Sequence, residues 1–211
     1  MSPNIYVLIT CSLIERNWEE RFQECMIGVQ QTINVFKNIP NVKVMIVENT
    51  GKRESFLDSF KIPVLYTNTN NEINTKNKGI KELTDIWKAI DHFQMTDHDF
   101  LIKVNARYFI HDDSPFVKII QNFSSKSYDS VLRYGGFNLN QVFKEKYYSC
   151  ITGLVGMTVK YIKQIELPEE DICLEWKWAE VSNRLSDDNI CILDYLGLTQ
   201  YINDHSYVVL S

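Results

Sequence analysis

The chain has 211 residues, 45% of them hydrophobic and 23% charged, a balance that predicts one domain spanning residues 1–211 around a substantial core. A formal net charge of −5 argues against a general nucleic-acid-binding protein, because such proteins present basic surfaces to phosphate groups. The five widely spaced cysteines indicate reduced thiols rather than disulfides or a zinc site, and no apolar run reaches the roughly 18 residues that span a bilayer, so we expect a cytoplasmic protein without a membrane span.

Strands and helices alternate from the amino end. The apolar run at 5–10 predicts a buried first strand, apolar positions between 17 and 36 recur at helical spacing, and 42–47 predicts a second strand. This order implies a right-handed unit with parallel strands, so the loops after both strands lie at one edge of the sheet. Ser12, Arg16 and Glu48 fall in those loops, where we expect them to bind a nucleotide. An ordinary polar turn is the alternative for Glu48.

A long polar segment separates the third strand from the second long helix. Residues 64–67 predict the strand, and the polar residues 68–79 predict a mobile loop able to cover a ligand. Apolar positions between 80 and 93 then mark an amphipathic helix, with Lys78 at its amino end. Backbone amides, the helix dipole and Lys78 all favour an anion at that point.

Residues 99–110 combine a buried strand with a polar ending. Their apolar run predicts a strand buried on both faces, and it ends in Lys103, Asn105, Arg107 and Tyr108. In an open α/β sheet the carboxyl ends of the strands border the ligand crevice, so two cations arriving there together indicate an anionic ligand. The alternative is that Lys103 and Arg107 simply reach solvent.

The remaining chain continues the same α/β pattern. We expect helices at 116–123, 159–165 and 172–185, strands at 130–134, 151–157 and 190–193, and a further edge strand in the tail. Gly153 and Gly156 lie in the 151–157 strand, where something approaches the backbone closely. Glu175 adjoins the apolar stripe of its helix and could point into a cleft.

This order of elements resembles a GT-A type glycosyltransferase, whose fold is one mixed, mostly parallel α/β sheet flanked by helices. Family members carry a strand reading Asp-Phe/Tyr-Ile-Leu-Phe-Leu-Asp-x-Asp, whose last two aspartates hold a divalent metal against the diphosphate. Residues 99–107 match its place and register, with Asn105 and Arg107 where those aspartates would stand. The run from Lys103 to Tyr108 also resembles a Lys-x-x-Gly-Arg-Tyr signature of viral and bacterial surface-glycan transferases that lack the aspartates, with Ala106 in place of the glycine.

The resemblance implies transfer of a sugar from a nucleoside-diphosphate sugar to a hydroxyl of an oligosaccharide or glycoprotein, without a prosthetic group. It places Glu175, or failing that Glu180, where inverting members keep the general base, and Gly153 on the acceptor side. An amide and a guanidinium do not form the anionic oxygen site that manganese or magnesium prefers. We therefore expect metal-independent transfer, in which Arg107 assisted by Lys103 neutralises the departing diphosphate.

Other functions fit parts of the sequence. A non-catalytic nucleotide- or glycan-binding module of the same fold is the main alternative, because the aspartate pair is missing. A metal recruited by Asp112, Asp113 or another carboxylate would leave Arg107 to orient the acceptor or to pack structurally. A nucleotidyltransferase or a Rossmann-type enzyme is disfavoured, since the segment after the first strand contains no glycine-rich phosphate loop.

Overall fold

The computed structural model describes residues 3–13, 18–51, 55–135, 146–202 and 206–210. Within them the chain forms ten strands, six α-helices and two 3₁₀ turns. The strands are β1 (Ile5–Cys11), β2 (Val42–Glu48), β3 (Val64–Tyr66), β4 (Phe100–Asn105), β5 (Tyr108–Ile110), β6 (Ser130–Leu132), β7 (Leu154–Thr158), β8 (Ile190–Ile192), β9 (Leu198–Ile202) and β10 (Ser206–Leu210). The helices are α1 (Trp18–Phe36), α2 (Thr69–Glu72), α3 (Lys78–His92), α4 (Pro115–Gln121), α5 (Val159–Ile162) and α6 (Leu174–Asn183), and the 3₁₀ turns are Phe56–Phe60 and Asp187–Asn189.

Seven strands form the main sheet in the order β3-β2-β1-β4-β7-β6-β8. Neighbouring strands from β3 to β4 are parallel, β7 is antiparallel to β4 and β6, and β8 is parallel to β6. Six strands therefore point one way and β7 the other. This arrangement confirms the predicted mixed, mostly parallel α/β sheet.

Both faces of the sheet are apolar, and helices cover each one. Along β1, Val7 and Ile9 belong to a core cluster shared with α1 and α4, whereas Tyr6 and Leu8 belong to a second cluster shared with α3, α5 and α6. Successive strand residues point to opposite faces, so a continuous apolar run is what a strand covered on both sides requires. None of the helices in the described ranges is long and apolar enough to cross a membrane. All five cysteines are free thiols.

Residues 99–110 form two strands rather than the single strand that the sequence predicts. β4 ends at Asn105, whose Oδ1 accepts a hydrogen bond from the Arg107 amide (3.2 Å), and β5 continues in a second sheet with β9 and β10. Helix α1 packs directly on this turn at Gly28, where an added Cβ would lie 2.2 Å from the Ala106 carbonyl oxygen. The apolar pattern continues through the turn into β5, so periodicity alone does not reveal it.

The polar segment 68–79 also differs from the expected mobile loop. It contains α2, and its later residues bind the loop before α6. Asn77 Nδ2 donates to the Ile172 carbonyl (2.8 Å), and the Glu170 carboxylate accepts from Thr75 Oγ1 (2.6 Å) and the Lys76 amide (3.0 Å). These contacts hold the amino end of α3 beside that of α6. In the tail, the predicted edge strand is β10, which pairs with the unpredicted β9 in the second sheet.

Candidate active site

The carboxyl ends of the central strands and the amino ends of two helices meet at one edge of the main sheet. Cys11 at the end of β1 lies beside Glu48 of β2, and Thr10 lies beside Asn105 of β4. Because β7 runs the other way, the segment that leads into it, residues 150–153, reaches the same edge. Helices α3 and α6 both begin there and are in close contact, since a Cβ on Gly79 would lie 2.9 Å from the Leu174 Cβ. We call this region the strand-end crevice.

A buried ion pair lies at the base of the crevice. Lys103 is 2% exposed, and its Nζ lies 2.7 Å from Glu82 Oε1 on α3 and donates to the Thr152 carbonyl (2.7 Å). Thr10 Oγ1 donates to the same Glu82 oxygen (2.9 Å). The charge of Lys103 is therefore neutralised inside the protein, and the ammonium holds the 150–153 segment to the sheet. This position differs from the expectation that Lys103 faces a ligand together with Arg107.

Sequence reasoning missed Glu82. The signal available was its spacing: Gly79, Glu82 and Ile86 follow each other at helical steps, so Glu82 shares the face of α3 that turns toward α6 and the sheet. A carboxylate on such a face requires a partner. The lysine that provides it is 21 positions away in sequence and becomes a neighbour only through packing of the helix on the sheet.

Glu175 enters the crevice from the first turn of α6. Its Oε1 accepts a hydrogen bond from the buried Thr152 Oγ1 (2.9 Å), the same residue whose carbonyl accepts from Lys103. The carboxylate is thus held by a short chain of contacts that begins at the buried ion pair. Glu180 lies elsewhere, on the exposed face of α6, where it pairs with Arg184 and Lys177. The geometry favours Glu175 over Glu180 as the crevice carboxylate.

Tyr108 and Gly153 meet beside Glu175. A Cβ on Gly153 would lie 2.0 Å from Tyr108 Cε2, so the tyrosine ring packs directly against the glycine and no larger residue fits there. Burial of the phenol, together with the nearby carboxylates of Glu82 and Glu175, raises the pKa of Tyr108 to about 12. The phenol is therefore protonated at neutral pH, where it can act as a hydrogen-bond donor.

Arg107 lies at the β4–β5 turn and contacts α1. Its Nη1 is 3.4 Å from Glu24 Oε2, and both side chains keep some solvent exposure. Asn105 uses its side-chain oxygen to accept from the Arg107 amide. The turn therefore offers an amide and a guanidinium where a metal-dependent site needs carboxylates, and no group of three or more His, Cys, Asp or Glu residues within the described ranges could hold a metal ion. These donors do not fit a divalent cation. Metal-independent transfer remains a prediction.

The residues expected to bind the nucleotide have different surroundings. Glu48 is buried, and its Oε1 accepts from the Leu13 amide (3.1 Å), the Thr50 amide (3.0 Å) and Thr50 Oγ1 (2.6 Å). Its Oε2 has no hydrogen-bond partner in the part of the chain that the structure describes. Ser12 follows β1, at the same edge and only partly buried, whereas Arg16 lies outside the described residues. Lys78 is the first residue of α3, and its side chain is exposed.

A second polar cluster, also missed from sequence, joins β2 and β3 to α3. Asp85 accepts hydrogen bonds from Thr67 Oγ1 (2.7 Å) and Asn49 Nδ2 (3.0 Å). Burial raises the pKa of Asp85, although these hydrogen bonds oppose the shift. The cluster therefore joins the loop after Glu48 and the residue after β3 to helix α3.

Known proteins resemble the chain in structure. No family model matches it, and the comparison with curated proteins finds no match. A mannosyltransferase from Pyrobaculum calidifontis, solved with GDP-mannose and Mn²⁺, superposes with a TM-score of 0.55 at 10% identity over 92% of this chain and 58% of its own. Residues 1–349 of TarS from S. aureus give a TM-score of 0.55 at 13% identity over 90% of this chain and 58% of their own. The protein has the GT-A fold.

The GT-A likeness extends to a protein assigned a different reaction. A protein from Bacillus anthracis, assigned as a glucose-1-phosphate thymidylyltransferase, gives a TM-score of 0.57 at 12% identity, over 94% of this chain and 89% of its own. The chain spans 58% of the length of the mannosyltransferase and of the TarS fragment. At identities this low, the structural superpositions establish the GT-A fold alone. The reaction has to be argued from the residues of the site.

Proposed function

We propose that the protein is a glycosyltransferase that moves a sugar from a nucleoside-diphosphate sugar to an acceptor hydroxyl, with Glu175 as general base. The observation that carries this proposal is the Glu175 carboxylate, held by Thr152 Oγ1 at 2.9 Å in the strand-end crevice of a GT-A sheet. A mannosyltransferase solved with a nucleotide sugar has the same fold. In open α/β sheets, this edge is where ligands bind.

The proposed reaction needs one base and one leaving group. The acceptor oxygen attacks the anomeric carbon of the donor sugar while Glu175 takes the hydroxyl proton. The bond between that carbon and the diphosphate oxygen breaks, and its electron pair leaves with the nucleoside diphosphate. Sugar hydroxyls are weak nucleophiles, and a positioned carboxylate accelerates such a step by roughly 10² to 10⁴-fold.

We assign the donor to the side of the crevice formed by β1, β2 and the amino end of α3. Ser12, Arg16 and Glu48 would contact the nucleoside, and Lys78 with the first amides of α3 would bind the diphosphate. Arg107 would stabilise the departing diphosphate once the ligand draws its guanidinium from Glu24. Asn105, Tyr108 and Gly153 would line the reaction centre. Lys103 would hold the reaction centre in place through its contacts with the Glu82 carboxylate and the Thr152 carbonyl.

A non-catalytic binding module is the second candidate, and one observation favours it. Lys103 in β4 already contacts the Glu82 carboxylate, and Arg107 in the β4–β5 turn already contacts the Glu24 carboxylate. A site that binds a nucleotide without turnover does not need a free cation at the leaving group. This candidate predicts nucleotide or glycan binding with no release of product.

Product analysis separates these functions. The purified protein is incubated with uridine, guanosine, thymidine and cytidine nucleotide sugars, with mixed oligosaccharides as acceptors. Release of a nucleoside diphosphate that depends on the acceptor supports glycosyl transfer. Release of pyrophosphate from a nucleoside triphosphate and a sugar 1-phosphate would instead identify a nucleotidyltransferase. Binding of a nucleotide sugar without either product would favour the binding module. The expected cytoplasmic location is a separate proposal, which rests on the free thiols.

A further inference from the structure

Two exposed aromatic side chains and a third, partly buried one lie together next to the helix turn that carries Glu175. Tyr148 is 58% exposed and Trp176 is 43% exposed, and their ring centroids lie 5.7 Å apart at 84°. Tyr147 extends the group, with its ring centroid 4.1 Å from that of Tyr148. We call these three residues the aromatic ledge. Tyrosine and tryptophan are enriched at binding interfaces because each combines a large apolar face with a polar group.

The ledge is attached to the elements that position Glu175. Trp176 follows Glu175 in the first turn of α6, and Cys150 Sγ donates to the Glu175 carbonyl (3.5 Å). The carbonyl of Tyr147 accepts from Asn183 Nδ2 (3.0 Å), at the far end of the same helix. These contacts hold the backbone that carries Tyr147 and Tyr148 against α6, the helix that carries Glu175 and Trp176. A backbone held in place before binding loses less conformational entropy when a ligand binds.

The size of the ledge suits a small ligand. Tyr148 and Trp176 together expose on the order of 200 Å², given about 150–250 Å² for a whole aromatic side chain. A specific protein partner needs about 800 Å² on each side. A sugar ring fits this area, because one face of a pyranose presents C–H bonds that pack on an aromatic ring while its hydroxyls remain at the edge.

Charges near the ledge argue against an anionic ligand. Lys146 pairs with Asp187 (2.8 Å), and Lys177 pairs with Glu180 (3.4 Å) and Glu166 (3.8 Å). The cations that flank the rings in sequence are thus already balanced by carboxylates. Among the described residues, the ledge therefore presents aromatic faces and phenolic hydroxyls whose neighbouring cations are paired, which suits a neutral carbohydrate.

We infer that the aromatic ledge binds the acceptor glycan, stacking a neutral sugar ring on Tyr148 and Trp176 so that its neighbouring hydroxyl faces Glu175. This inference rests on the proposed glycosyl transfer for its role in the reaction. The carbohydrate binding itself does not require turnover, so it can be tested separately.

The first test measures binding of methyl glycosides of glucose, galactose, mannose and N-acetylglucosamine by saturation-transfer NMR, without nucleotide. We expect at least one glycoside to bind the native protein, and Trp176→Ala and Tyr148→Ala to weaken it about tenfold each, equivalent to about 1.4 kcal/mol. Trp176→Phe and Tyr148→Phe should retain most of the affinity because they keep a ring. Ile27→Ala is the matched control, since Ile27 is a 45% exposed apolar residue on α1, across the sheet.

The second test measures acceptor-dependent release of nucleoside diphosphate. The alanine variants should raise the acceptor KM and leave the affinity for the donor nucleotide unchanged. If native protein binds glycosides on the ledge but releases no nucleoside diphosphate, the proposed function fails and the carbohydrate surface stands. If no glycoside binds, or if the alanine variants bind as the native protein does, the inference is overturned. Dimerisation that Trp176→Ala abolishes would also overturn it, by showing that the ledge is a contact between two copies of the chain.

Discussion

Replacing Lys103 by methionine should destabilise the protein strongly, because it leaves the Glu82 carboxylate without its cation. Removing one partner of a buried ion pair costs about 3–5 kcal/mol. Glu82 keeps 23% side-chain exposure and the hydrogen bond from Thr10, so we expect a value near the lower limit, about 3 kcal/mol. For a chain of this length, that loss corresponds to a fall in Tm of roughly 6–12 °C.

A double-mutant cycle isolates the pair from the other effects of the substitution. Urea unfolding is measured at pH 7 for the native protein, Lys103→Met, Glu82→Met and the double variant. The double variant should be more stable than the sum of the single losses predicts, because neither charge is then buried alone. Lys163→Met is the matched control, because its pair with Asp97 (2.6 Å) is exposed and should leave the unfolding midpoint nearly unchanged.

Two results of these measurements would contradict the buried ion pair. If Lys103→Met shifts the midpoint no more than the Lys163→Met control does, or if the two sites are additive, Lys103 is not held in a buried ion pair. Lys103 would then be available to a ligand, as the sequence alone suggests, and loss of nucleotide affinity in the stable variant would confirm that role.

Four further predictions concern the crevice. Thr152→Val removes the hydroxyl that holds Glu175 and should lower kcat roughly tenfold, about 1.4 kcal/mol. Thr152→Ser keeps the hydroxyl donor and should retain turnover. Equal rates for the two variants would exclude a role of Thr152 in positioning Glu175. Glu48→Gln puts a donor in place of Oε2, which has no hydrogen-bond partner among the described residues, and should weaken nucleotide binding by about 10 to 100-fold in calorimetry. Unchanged affinity would show that Oε2 does not contact the nucleoside. Arg107→Ala should lose about 2–4 kcal/mol of transition-state stabilisation, with partial recovery in Arg107→Lys. Native turnover should survive EDTA, so activity that is abolished by chelation and restored by manganese would contradict the metal-independent mechanism.

The main sheet is predictable from sequence because its central strands are covered on both faces. That environment favours the nearly continuous apolar runs of β1, β2 and β4, which Lys43 interrupts in β2 and Lys103 interrupts in β4. The turn between β4 and β5 is not predictable in the same way. Apolar residues continue on both sides of Arg107, and only the close approach of α1 at Gly28 and the capping of the turn by Asn105 separate the strands.

Only part of the candidate site is predictable from the sequence. Glu175 could be selected because a carboxylate beside an apolar helical stripe indicates a position near a cleft. The residues that hold Glu175 in place could not be selected from the sequence. Thr152 contacts Glu175, and Lys103 contacts Thr152, only because β7 pairs with β4. The same packing explains why Lys103, a cation that looks available in sequence, is neutralised by Glu82.

The central claim is that Glu175 removes the proton from the acceptor hydroxyl. The most direct measurement compares kcat for nucleoside diphosphate release, and the Kd for the nucleotide, in native protein, Glu175→Gln and Glu180→Gln. We predict that Glu175→Gln lowers kcat by roughly 10² to 10⁴-fold with little change in Kd, because the base acts only in the chemical step. Glu180→Gln should behave as the native protein, since Glu180 lies on the exposed face of α6 with Lys177 and Arg184. Native turnover in Glu175→Gln, or a comparable loss in Glu180→Gln, would contradict the account.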